Sequence, residues 1–138
     1  MTTKLAIVGP TGVGKTLLAC QVAMEVGGEI INTDSRQVYR DMDIGTAKPT
    51  KDQMSSVRHH LYSVVDPEQP FDLYLFKRMA ISAKTKIEEQ KKVPIFVGGT
   101  GQYMWSIVEE WRLEGNQSDI DLRMELERKL KMEGLKSL

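Results

Sequence analysis

The residues best suited to chemistry are Gly9-Pro10-Thr11-Gly12-Val13-Gly14-Lys15-Thr16, which fit the phosphate-loop pattern G-x-x-x-x-G-K-[ST] at every fixed position. Glycines let backbone N–H groups converge on phosphate oxygens, and a helix starting behind the loop adds its partial positive charge. Lys15 would hold a second phosphate, and the Thr16 hydroxyl would ligate Mg²⁺. A second candidate is Asp34, a carboxylate at the end of an apolar run. Its spacing alone leaves two roles open: positioning Mg²⁺ through water, as in nucleotide hydrolases, or acting directly in catalysis.

Such residues need a rigid frame. Leu5-Ala6-Ile7-Val8 reads as a buried strand, and the segment from Thr16 to Ala23 has helical spacing. Three further short runs rich in β-branched or aromatic residues read as strands or strand ends: Glu29 to Thr33, His60 to Val64 and Val93 to Val97. Between the last two, Leu75, Met79, Ala83 and Ile87 recur every four residues, predicting a helix from Leu73 to Lys92 capped by Asp72. Alternating strands and helices imply an α/β fold with a doubly wound parallel sheet. Ligands of such sheets bind at the carboxyl ends of the strands, which collects Gly9 to Thr16, Asp34 to Gln37 and Gly98 to Gly101 on one rim. From Leu113 the character changes, to a loop over Glu114 to Ser118 and a charged helix from Asp119 to Glu133.

The chain has 138 residues, about one domain's worth, with 19 basic against 19 acidic side chains. That balance excludes a global positive field, so a nucleic-acid partner would have to be held by a local patch. The lone cysteine, Cys20, makes no intrachain disulfide and reads as a small buried side chain in a reducing compartment. No apolar run approaches a membrane span and no leader-like layout precedes the first strand, so the expectation is a cytoplasmic protein with no membrane partner.

The run Asp34-Ser35-Arg36-Gln37-Val38-Tyr39, followed by Met42-Asp43-Ile44-Gly45-Thr46-Ala47-Lys48-Pro49, closely resembles the tRNA dimethylallyltransferases. The resemblance also includes the phosphate loop, His59-His60-Leu61 with Asp66-Pro67, and Pro94-Ile95-Phe96-Val97-Gly98-Gly99-Thr100-Gly101, all in the family's order. It implies a P-loop prenyltransferase that moves a dimethylallyl group from dimethylallyl diphosphate to N6 of an adenine beside the anticodon of tRNA. Gly9 through Thr16 would then hold the diphosphate with Mg²⁺, Lys15 and Thr100 would lie at the reacting groups, and Asp34 would accept the proton of the adenine amine. Ser35, Arg36 and Gln37, with Asp34 and Thr100, are carried over as tRNA-binding residues. His59 and His60 match a family pair, but neighbours on a strand face opposite ways, so a structural role is expected for them. Asp41 and Asp43 are expected to orient a loop. Trp105 and Trp111 are placed on a helix as core or interface, and Lys91 and Lys92 at a helix end facing solvent.

Against the family, the chain is about half length. Residues 1–112 read as the P-loop core and 113–138 as the beginning of a helical tRNA-binding insertion, with the C-terminal part of the family fold missing. Gln102 stands where a leucine is usual before Tyr103. This predicts impaired transfer, and self-association or a second chain supplying the missing half. Three other readings share these residues: prenyl transfer to free adenine nucleotides, a P-loop kinase or ATPase, and a non-catalytic domain that binds diphosphate.

Overall fold

Adjacent pairs of apolar residues, Ile30-Ile31 and Ile95-Phe96, build the middle of this molecule, because successive strand residues face opposite sides of a sheet. Ile30 and Ile95 pack with Ala19, Cys20 and Ala23 on one side, whereas Ile31 and Phe96 pack with Phe76, Ala80, Ile87 and Ile107 on the other. A computed structural model describes residues 4–113 and 120–134. Its elements run β1 (Leu5–Val8), α1 (Lys15–Val26), β2 (Gly28–Asn32), α2 (Lys51–Ser56), β3 (His59–His60), α3 (Leu73–Glu89), β4 (Val93–Gly98), α4 (Gly101–Val108) and α5 (Ile120–Glu133). All strand pairs are parallel, in the order β1-β4-β2-β3, and one row crosses the sheet through Leu5, Ile95, Ile30 and His59. Helix α1 covers one face while α3 and α4 cover the other, so the doubly wound α/β architecture is as expected.

Several local expectations change. β1 is an edge strand: its residues alternate between half-buried and exposed, and Val8 is 61% exposed. An apolar run therefore signals a strand here without signalling burial on both faces. β3 stops after two residues because Leu61 and Ser63 adopt left-handed backbone, with φ of 63° and 52°, which a ladder cannot accommodate. On α3 the buried stripe is Phe76, Ala80, Ala83 and Ile87, with Leu75 and Met79 at its margin. Asp72 caps α3 through the Leu75 N–H at 2.8 Å, and the helix ends at Glu89, short of the expected Lys92. Trp111 lies beyond the end of α4, and its indole N–H donates to Glu109. Trp105 is on α4 but 53% exposed, so it is no part of the core. The described residues of α5 from Asp121 onward are exposed, including Leu122, Leu126 and Leu130. The expected loop over Glu114 to Ser118, Asp119 and the final Leu135 to Leu138 lie outside the described residues.

At the amino ends of the strands, Glu29 is only 2% exposed yet charged partners surround it. Lys92 Nζ and His60 Nε2 each lie 2.6 Å from its carboxylate, and Arg58 stands at 4.0 Å. Lys92 therefore does not simply face solvent. Burial opposes ionisation of Glu29, but the hydrogen bonds and charges of Lys92 and His60 outweigh it and hold the carboxyl below its ordinary value. His60 is structural, as expected. So is His59, whose Nδ1 lies 2.7 Å from the Val57 carbonyl and whose ring packs edge-on against Tyr62.

Candidate active site

Where β1 ends, the chain must turn into α1 within a few residues, and Gly12 and Gly14 make that turn with φ of 84° and 87°. A side chain at either position would be strained. Gly14 is also the N-cap of α1, and no side chain caps the helix, so its first-turn N–H groups stay available to an anion. Thr11, Gly12, Gly14, Lys15 and Thr16 line a cavity of about 200 Å³ together with Asp34, Gln37, Gln53, Tyr62 and Gly98. Lys15 Nζ donates to the Pro10 carbonyl at 2.6 Å, so its ammonium reaches back across the loop. Gly9 and Pro10 border a different, apolar groove, and Val13 projects outward.

Asp34 is held by a chain of buried polar contacts. Asn32, fully buried at the end of β2, accepts the Asp34 N–H on Oδ1 at 2.8 Å, and its amide donates to the carbonyls of Asp34 and Leu61. The carboxylate then folds onto its own turn, where Oδ1 accepts from the N–H groups of Arg36 (2.8 Å) and Gln37 (3.4 Å). Oδ2 carries no hydrogen bond among the described residues, which leaves one oxygen of a cavity-lining carboxylate for a ligand proton.

Thr100 is the N-cap residue of α4, but its hydroxyl does not cap that helix. It accepts from the Ser35 N–H at 3.0 Å and donates to Ser35 Oγ at 3.3 Å, latching the ends of β2 and β4 together. Gly98 makes the close approach possible. A Cβ there would lie 2.5 Å from the Thr33 carbonyl carbon and 2.8 Å from the Asp34 nitrogen. The Thr33 hydroxyl, wedged at the same place, is buried without a partner among the described residues.

The loop after Asp34 forms the outer wall. Gln37 donates to the carbonyls of Thr46 and Ala47, and Lys48, only 5% exposed in its side chain, binds the Tyr39 carbonyl, Asp43 (2.7 Å) and Ser63 Oγ (2.9 Å). Asp43 thus orients the loop, and among the described residues no cluster of three or more acidic, histidine or cysteine side chains is arranged around a metal. The three sequence segments meet at one rim: the structure brings Lys15, Thr16, Asp34 and Gln37 to one cavity, with Ser35 and Thr100 joined beside it. Arg36 contributes its backbone to the Asp34 turn.

Sequence reasoning gave no site role to Asn32, Gln53, Tyr62 or Lys48, and placed Gly98 on the rim without its part in the close approach of β2 and β4. Lys48 lies inside the run that carries the resemblance, Asn32 and Tyr62 read only as strand residues, and Gln53 lies in no segment singled out. Burial, with the charges of Asp34 and Cys20 adding to it, pushes the Tyr62 phenol far above its usual value, so it faces the cavity as a neutral hydroxyl.

Comparison with known proteins matches nearly the whole chain. A family model described as IPP transferase matches residues 37–138, and one described as isopentenyl transferase matches residues 2–66. A tRNA dimethylallyltransferase of Roseiflexus castenholzii is 48% identical over 134 residues, which is 97% of this chain and 44% of that protein. One from Staphylococcus carnosus is 46% identical over 97% of this chain and 42% of its own length. The structure of the full-length tRNA isopentenylpyrophosphate transferase of Bacillus halodurans superposes with a TM-score of 0.80 at 41% identity, covering 99% of this chain and 45% of that one. A eukaryotic dimethylallyltransferase acting on tRNA superposes with a TM-score of 0.75 at 30% identity, over 88% of this chain and 32% of its own. The chain thus spans less than half the length of the relatives it matches.

Proposed function

We propose, since this chain belongs to the IPP transferase family, that its rim carries the donor half of a prenyl transfer from dimethylallyl diphosphate to N6 of an anticodon-adjacent adenine in tRNA. The observation that carries the reading is one cavity holding both a phosphate loop and a carboxylate with a free oxygen. Backbone N–H groups of Gly12 to Thr16 and the Lys15 ammonium would take the diphosphate, on which negative charge grows as the allylic C–O bond breaks. Asp34 would accept the proton released as the amine nitrogen forms its bond to carbon. The Thr16 hydroxyl offers a hard oxygen donor of the kind Mg²⁺ prefers, one or two protein ligands beside phosphate oxygens being its usual set. Bound there, the ion would add positive charge at the leaving group. Ser35, Arg36, Gln37 and Thr100 would meet the acceptor nucleotide, which must be unstacked to enter. Residues 1–112 are the prenyltransferase core in this reading, and 113–138 begin a helical segment that grips the acceptor. The reaction belongs in the cytoplasm with its tRNA, and no described helix is long and apolar enough to cross a membrane.

The test is calorimetric titration with Mg²⁺ present, using dimethylallyl diphosphate and ATP as ligands. Preferential binding of the prenyl diphosphate is expected, and Lys15→Ala should weaken it about tenfold or more, the loss of a charge-assisted contact. Preference for ATP would sink the reading in favour of a kinase. Transfer to AMP but not to anticodon stem-loop RNA would move the acceptor to free nucleotides.

A second part of the proposal concerns the open side of the sheet. Val8, Trp105 and Val108 are more than half or about half exposed around an apolar groove of about 360 Å³, beside an edge of β1 that is unpaired among the described residues. An edge so apolar is a template for further polypeptide. The relatives are more than twice as long as this chain, so we infer that further polypeptide covers this edge, from another copy or from a second chain, and a size-exclusion series moving toward dimer with rising concentration would select the former. A monomer throughout would remove self-association and leave the second chain.

A further inference from the structure

Three cationic side chains surround a cleft that the site does not use. It lies between β3 and α3 on the far side of Tyr62, which borders both this cleft and the site cavity. The cleft measures about 510 Å³ and is lined by Arg58, His59, His60, Arg78, Ser82 and Lys86 among others, with no acidic side chain in its wall. Arg78, Ser82 and Lys86 recur every four residues, so they form one stripe along α3, about 12 Å from end to end. Among the described residues, Arg78 and Lys86 make no hydrogen bond or ion pair. Arg58 has only the 4.0 Å approach to Glu29, whose carboxylate is already taken by Lys92 and His60.

Uncompensated cations in a chain of zero net charge are a local polyanion site. An open stripe two helical turns long matches successive phosphates better than a single small anion. We propose that this cleft grips the sugar-phosphate backbone of the acceptor RNA, with Arg78 and Lys86 on one side, Arg58 on the other and the Ser82 hydroxyl between. The inference rests on the tRNA reading above and adds to it the surface that holds the RNA while its adenine enters past the Asp34 loop. Such contacts position without reading sequence, so they set affinity and salt dependence.

The experiment is filter binding of an anticodon stem-loop RNA to the purified chain between 50 and 200 mM salt (on the order of the range over which counterion release is read). The variants are Arg78→Gln/Lys86→Gln and Arg58→Gln, with Lys77→Gln on the same helix but outside the cleft as the control. The double variant should bind about tenfold more weakly at the lower salt, with the slope of log affinity against log salt shallower by about 2. Arg58→Gln should make it shallower by about 1, while Lys77→Gln should leave it unchanged. Dimethylallyl diphosphate affinity and the circular dichroism spectrum should not move in any variant. Wild-type affinity and slope in the double variant would overturn the inference and leave the function standing. Retention of inorganic tripolyphosphate at Arg78 and Lys86 without any effect on RNA would overturn it in favour of a small-anion site. No RNA retention by the unaltered chain would overturn both.

Discussion

Asp34→Asn is expected to lower prenyl transfer by about 10²–10⁴-fold, the usual worth of a positioned general base. The amide keeps an oxygen for the Arg36 and Gln37 N–H groups, so the turn that carries residue 34 survives. What disappears is the capacity to accept a proton from the adenine amine, a poor nucleophile because its lone pair is delocalised into the ring. Dimethylallyl diphosphate affinity should stay within a few-fold of the unaltered chain, because the Lys15 and backbone contacts are separate from this carboxylate. Single-turnover transfer to an anticodon stem-loop RNA, with calorimetry of the donor, distinguishes the two effects. Turnover within twofold of the unaltered chain would remove Asp34 from the chemistry.

Gly98→Ala should damage both stability and turnover, although no atom of Gly98 is assigned to the reaction. The added methyl would sit against the backbone of Thr33 and Asp34, neither of which can rotate away as a side chain could. Overpacking of this kind costs about 1–3 kcal/mol, and a displacement of about 1 Å at the reacting groups costs about 10²-fold in rate. Melting temperature and kcat should therefore fall together, with the donor affinity less affected. A variant with unchanged melting and full kcat would mean that β2 and β4 can separate at their ends without disturbing Asp34.

The phosphate loop and the Asp34 segment were legible because their geometry is local: a few consecutive residues fix the turn, the helix start and the carboxylate. Even the shared rim followed from strand order, since β-α alternation sends the ends of parallel strands to one side. Contacts between distant segments were not legible. Nothing near Asn32 in sequence announces that its amide ties Asp34 to Leu61, and Tyr62 became a wall of the cavity only because left-handed residues on either side of it end β3. Lys92 reads as a solvated helix end until β4 brings it beside Glu29. The exposure of β1 was hidden for a related reason, because a strand's own residues do not say whether a neighbour lies on each side.

Glu29 near the start of β2 and Asp34 just past its end are five residues apart, about 16 Å for extended chain, and they divide the molecule by task. At Glu29 the sheet is cross-braced by Lys92, just ahead of β4, and by His60 of β3, while the rim carries the Thr33 hydroxyl, unpartnered among the described residues, and the left-handed Leu61 and Ser63. Rigidity at one pole lets the other hold unfavourable geometry. Substitutions at the rim can therefore reshape the site while the braced pole keeps the sheet together, a separation that leaves this scaffold open to evolutionary change.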